Sequence, residues 1–196
     1  MATKHDVKRL INGMVSVLDT AGSTMGVKDG AGDAARYELA MYMMYLSASD
    51  GEIGWSETSL INDLCDLSLT PQTLGQFIRE QNIYSTEFER KVPLCLQMLI
   101  AFENKLIEMN MLTDDIPDAS ETVLSTYKIV GQMMVNIDDD VDDNEQSDYR
   151  IYLSMLEDYV NKNALRRKKA ITGFTKNTGG VSAPTKSGVS APKKKG

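Results

Sequence analysis

Apolar residues recur at spacings of three and four along most of this chain, and strand-like alternation is weak throughout. That periodicity is the mark of helices with one buried face. Val7, Leu10, Ile11, Met14 and Leu18 make the first stripe, and the glycines at 22, 26, 30 and 32 predict a flexible loop over residues 20–32. A second helix is expected from about Asp33, its N-cap, to Ser49, with Leu39, Tyr42, Met43 and Leu46 facing inward and Asp50-Gly51 ending it. A third begins near Ser56, its expected cap, and carries Leu60, Ile61, Leu64 and Leu67. Thr70-Pro71 supplies a cap and a first-turn proline for a short helix with Leu74, Phe77 and Ile78. Residues 85–110 read as helix broken before Pro93, and Val123, Leu124, Tyr127, Val130 and Met134 share the next face. The last stripe is Tyr149, Tyr152, Leu153, Leu156, Tyr159 and Val160, on a helix running from about Asp142 past Arg166. The expectation is an all-α fold of about seven helices.

Beyond about Lys169 the periodicity stops. Gly180-Val181-Ser182-Ala183-Pro184 recurs as Gly188-Val189-Ser190-Ala191-Pro192 among lysines, and Phe174 is the segment's one aromatic residue. Such a composition buries too little surface to offset the entropy of ordering, so a helical domain over 1–168 and a disordered basic tail over 169–196 are expected. Charge divides at nearly the same place. Residues 1–158 carry 11 basic and 28 acidic side chains, net −17, and residues 159–196 carry 10 basic and no acidic ones. A polyacidic body repels nucleic acid and attracts cations, which leaves the tail for weak contact with an acidic surface.

Cys65 and Cys95 lie in apolar stretches without the close Cys/His spacing of a zinc site, and are expected in the core. His5, the one histidine, sits at the N-terminal end, so no Ser-His-Asp or Cys-His centre is suggested and no catalysis is expected. No apolar run is long enough to span a bilayer and no signal-type segment is seen, so a cytoplasmic location is expected. Gly30-Ala31-Gly32-Asp33-Ala34-Ala35 matches a dinucleotide fingerprint by letter but has no strand before it, and reads as a loop into a helix cap.

One acidic phrase occurs twice, 88 positions apart, from Asp50 to Asp138. The first copy is Asp50-Gly51-Glu52-Ile53 with Glu57, and the second is Asp138-Asp139-Asp140-Val141 with Glu145. Each sits between two helical stretches. Helix capping explains one or two acids per turn, as in the pair Asp142 and Glu145. Five carboxylates among the six residues 138–143 are a greater density than capping needs, and both full solvation and neutralisation by a hard cation account for it. An EF-hand fails on register, since Asp143 falls where glycine is needed and Tyr149 where a bidentate glutamate is needed. Trp55 beside the first turn either anchors the loop or meets a partner, and anchoring is the expectation.

The two acidic phrases, the helix order and the central Phe88-Glu89-Arg90-Lys91-Val92-Pro93 segment resemble the TerB-like domains named for a tellurite-resistance protein, over roughly residues 5–165. The resemblance implies an all-helical bundle built from two related helix-turn-helix units. It implies a divalent cation, Ca²⁺ among the candidates, held by Asp50, Glu52 and Glu57 in the first turn and by Asp138, Asp140 and Glu145 in the second. It further implies a non-catalytic, cation-responsive binding module in a bacterial stress-response or membrane-associated assembly, with protein partners. The competing reading is a metal-independent scaffold whose acidic face docks basic partners. Asp139 in place of the first turn's glycine, and the lysine-rich tail, depart from the family pattern.

Overall fold

The computed structural model describes residues 3–27, 30–113, 118–137 and 143–178, with side chains to 172. Among the described residues every regular element is a helix: α1 Lys4–Met25, α2 Ala31–Leu46, α3 Trp55–Cys65, α4 Pro71–Glu80, α5 Thr86–Glu89, α6 Leu94–Glu108, α7 Ala119–Met134 and α8 Asp143–Thr178. With α5 a single turn, seven longer helices build the all-α domain.

Helix α2 is the centre. Tyr42, Met43, Met44, Tyr45 and Leu46 are five consecutive buried residues, so its C-terminal half is enclosed all round rather than on one face. It packs on α1, α3, α4, α6, α7 and α8. Around it Tyr152 of α8 gathers aromatic rings, with centroids 4.7 Å from Tyr42, 5.9 Å from Tyr45, 6.0 Å from Phe88 and 6.4 Å from Tyr127.

The stretch expected to be a loop over 20–32 is mostly helix. α1 continues to Met25, where Gly26 closes it in the left-handed conformation, and α2 starts at Ala31. Gly22 and Gly32 are interior to the pair because the helices touch there. A Cβ on Gly22 would lie 2.9 Å from that of Ala31, and one on Gly32 would lie 2.5 Å from Val15 Cγ1. The expected cap Asp33 is exposed and does not cap; Asp19 of α1 does so instead, its Oδ1 accepting the Gly32 N–H at 2.8 Å. That carboxylate occupies the helix start where a dinucleotide fingerprint would place phosphate.

The 88-residue shift between the acidic phrases holds for whole helices. It carries α2 onto α7, both 16 residues long, and the first residue of α3 onto that of α8. Buried positions follow: Ala35 and Val123, Leu39 and Tyr127, Leu46 and Met134 are matched pairs in the core. Val7 and Ile11 of α1 match Cys95 and Leu99 of α6 in the same way. Two units, α1–α3 and α6–α8, thus sandwich their second helices, and α4 and α5 bridge them.

α8 departs from its counterpart by running on to Thr178, past the expected domain boundary at 168. Arg167, beside that expected boundary, is 8% exposed. Its Nη1 donates to Glu103 Oε1 of α6 at 2.9 Å, and its Nε lies 4.0 Å from Asp118 Oδ2 at the start of α7. Burial pushes the Glu103 carboxyl up to about 7, with Asp118 adding to the rise and Arg167 opposing it. Residues 179–196 of the expected tail lie outside the described residues.

Candidate functional site: the acidic end face

The first acidic turn begins where α2 stops at Leu46, three residues before the expected Ser49. Ser47 and Ser49 are buried, and Asp50, Gly51 and Glu52 are exposed. Asp50 Oδ1 accepts the Glu52 N–H at 2.8 Å, and Gly51 takes a left-handed φ of 84° that a side chain would strain. Asp50 therefore shapes the turn with one oxygen and leaves the other to solvent.

Glu57 does something different. It is 3% exposed, and its Oε2 accepts the Gly54 N–H at 2.7 Å, so Gly54 rather than Ser56 is the N-cap of α3 and Glu57 closes the cap from the third helical position. Glu145 occupies the same third position of α8 and is half-buried. The recurring glutamate of the acidic phrase is thus explained at Glu57 by capping geometry. Asp138 and Asp140 lie outside the described residues, as do Asp139, Val141 and Asp142. Among the described residues no three His, Cys, Asp or Glu side chains are grouped to hold a metal ion.

Trp55 corrects a further expectation. Instead of anchoring the turn it stands 68% exposed at the first position of α3. An indole presented to solvent, close in sequence to the exposed Asp50 and Glu52, offers a flat π face that suits an ammonium or guanidinium group.

The first turn is tied to α8 across the repeat. Asp148, in the second turn of α8, accepts from Ser49 Oγ at 2.7 Å and from Tyr84 OH at 3.1 Å through the same Oδ2. Burial and that bond to Asp148 raise the Tyr84 phenol above its ordinary range. Beside this junction a cleft of about 350 Å³ opens among Gly51, Ile53, Ile78, Arg79, Asn82 and Tyr84. Sequence reasoning missed Asp148, although a signal existed, since the repeat pairs it with the fully buried Leu60 and so places a carboxylate where the pattern calls for an apolar residue. Elsewhere the candidate nucleophiles are quiet. Burial pushes the Cys65 thiol up to about 12 and the Cys95 thiol above its usual value, and His5 is exposed on α1.

Compared with known proteins, the chain matches no family model, no curated protein and no solved structure.

Proposed function

We propose that this chain is a non-catalytic interaction module that docks a basic partner on the end face carrying Asp50, Glu52 and Trp55. The carrying observation is the exposed indole of Trp55 beside two solvent-facing carboxylates, while Glu57 is turned inward as a cap. A net charge of −17 over residues 1–158 draws cationic segments toward this surface at long range, and the cation–π face holds them at short range. Trp55 is the one tryptophan, so its fluorescence reports on this site alone. Titration with oligolysine is expected to give a saturable change that weakens as salt rises and shrinks in Asp50→Asn. A flat titration at low salt, with oligoglutamate as control, refutes the reading.

A second reading keeps the divalent cation. Its support is the five carboxylates at residues 138–143, together with the Ser49–Asp148 bond that ties the first turn to the helix following the second. A cation bound by the native state alone adds stability in proportion to the logarithm of its concentration over Kd, so thermal melts with millimolar Ca²⁺ or Mg²⁺ at matched ionic strength separate the two readings. The resemblance to TerB-like domains supports a place in a bacterial stress-response or membrane-associated assembly, where a partner would supply the membrane contact. No described helix is long and apolar enough to cross a membrane.

A further inference from the structure

The internal repeat assigns an occupant to a groove on the opposite unit. In the first unit, Tyr45 of α2 is covered by the segment leading into and through α5: Tyr84 and Phe88 lie with ring centroids 5.5 and 5.4 Å from it. The same place is bounded by Met41 and Ser49 of α2 and by Asp148 of α8, which accepts the Tyr84 hydroxyl. The 88-residue shift carries Met41, Tyr45 and Ser49 onto Ile129, Met133 and Ile137, and Asp148 onto Leu60. Those four residues line a single open groove of about 540 Å³ between α7 and α3.

The reason it is open lies in the connections. α3 stops at Cys65 and the chain turns back through α4 and α5 to cover α2, whereas α8 continues as one helix to Thr178 and no described residue after it returns over α7. Ile129, Met133 and Ile137 stand four residues apart, the last just past the end of α7, each half-buried, so they form an apolar strip left partly open by the described residues.

We infer that this groove docks a segment of a partner protein bearing two bulky apolar side chains four residues apart, flanked by lysine or arginine. The spacing comes from the occupant of the equivalent place, Tyr84 and Phe88. The identity differs in one respect: Leu60 replaces Asp148, so no carboxylate receives a phenol and phenylalanine or leucine fits where tyrosine sits in the mate. The basic flanks follow from the net −17 of residues 1–158 and rest on the docking reading above, while the apolar pair rests on the groove alone. Lys4, at the rim, does not oppose them, because Asp63 Oδ2 takes its charge at 2.8 Å.

The probe is a capped peptide of residues 82–91 with Tyr84→Phe, Glu87→Lys and Glu89→Lys, titrated into the full chain while methyl NMR signals of Ile129, Met133 and Ile137 and the Trp55 indole signal are followed. Saturable shifts of the three methyls are expected, and Met133→Gln should weaken binding about tenfold with helical content unchanged. The same peptide with both phenylalanines replaced by serine should leave the methyls still. Equal shifts from the serine peptide, or no methyl shift at millimolar peptide, overturn the inference. So do methyl signals that move on concentrating the protein alone, which would make a second copy the occupant, or that move in the peptide-free protein when residues 179–196 are removed, which would make it the chain's own tail. Methyl shifts with this peptide, beside a flat oligolysine titration at Trp55, leave the groove standing and remove the basic-docking reading of the end face; the reverse removes the groove alone.

Discussion

Replacing Arg167 by methionine tests the junction that holds α8 to α6 and α7, and its cost should depend on pH. Arg167 and Glu103 are 8% and 5% exposed and meet at 2.9 Å. Removing one member of a buried ion pair costs up to about 3–5 kcal/mol where the remaining charge is left bare, and here Glu103 loses its counter-charge but keeps a backbone hydrogen bond from Ala119. The Glu103 carboxyl, however, has an escape. Its pKa stands at about 7 in the folded chain against an ordinary 4.5, so between those values the folded state holds a proton that the unfolded state has released. In the wild type this contribution is fully present below about pH 4.5 and is lost as pH rises through about 7, amounting to about 3 kcal/mol over the span. Without Arg167 the folded carboxyl titrates higher still.

At about pH 5.5 Glu103 is therefore neutral in the folded state of both proteins, and the substitution costs only a hydrogen bond and some packing, about 1–2 kcal/mol. At about pH 8 the wild type is largely ionised while the variant carboxyl, titrating higher, keeps its proton; one pH unit above a pKa of about 7 adds at most about 1.4 kcal/mol by linkage, so a cost of about 2–3.5 kcal/mol is expected. Urea unfolding followed by circular dichroism at both pH values measures the difference. In thermal melts the high-pH loss corresponds to roughly 4–14 °C, at about 2–4 °C per kcal/mol for a chain of this size. Equal costs at the two pH values, or a cost below about 1 kcal/mol at the higher one, would refute the account. Glu103→Gln should remove the wild-type pH slope.

The Tyr42 hydroxyl is buried with no hydrogen-bond partner among the described residues, so Tyr42→Phe should be neutral or stabilising by up to about 1–2 kcal/mol in urea unfolding, and a loss beyond about 1 kcal/mol would show that the hydroxyl is satisfied. Gly32→Ala gains about 1 kcal/mol of helix propensity but drives a methyl to 2.5 Å from Val15 Cγ1 and 2.8 Å from Asp19 Oδ2. Overpacking of about 1–3 kcal/mol should win, so a raised unfolding midpoint in the variant would contradict the tight α1–α2 contact.

What was legible in the sequence was whatever one helix decides by itself. The stripes of α1, α7 and α8 are buried as their periodicity predicted, and Thr70 with Pro71 starts α4 as the cap rule required. What misled was pairwise. Gly22 and Gly32 suggest a loop when read along the chain, yet they permit close packing when α1 lies on α2, and that partner is invisible locally. Arg167 has the composition of a basic tail around it and a buried carboxylate 64 positions away. Glu103 could have announced that partner: it falls at 95, 99, 103 on the buried face of α6, where a carboxylate needs a counter-charge. The acidic turns divided in the same way, since the Glu57 cap is a local motif whereas the Asp148 link to Ser49 spans 99 positions.

The repeat explains why function should concentrate where its halves disagree. Positions that face the shared core must satisfy one packing problem twice, and so Ala35 and Val123, or Leu46 and Met134, remain apolar and buried. Positions at the ends and outer faces carry no such constraint. There Ser49 is matched by Ile137, Asp148 by Leu60, and Trp55 by Asp143. One unit consequently presents an exposed indole next in sequence to carboxylates and closes its outer face with Tyr84 and Phe88, while the other presents an apolar strip that no described residue folds over. A single helical scaffold then holds two chemically distinct surfaces, one suited to cationic groups and the other to apolar side chains. A Trp55→Ala change should leave the groove unaltered, and a Met133→Gln change the end face. If either variant instead disturbed both surfaces, the two units would be coupled through α2, whose enclosed half, Tyr42 to Leu46, is the one part of the core that both outer faces rest upon.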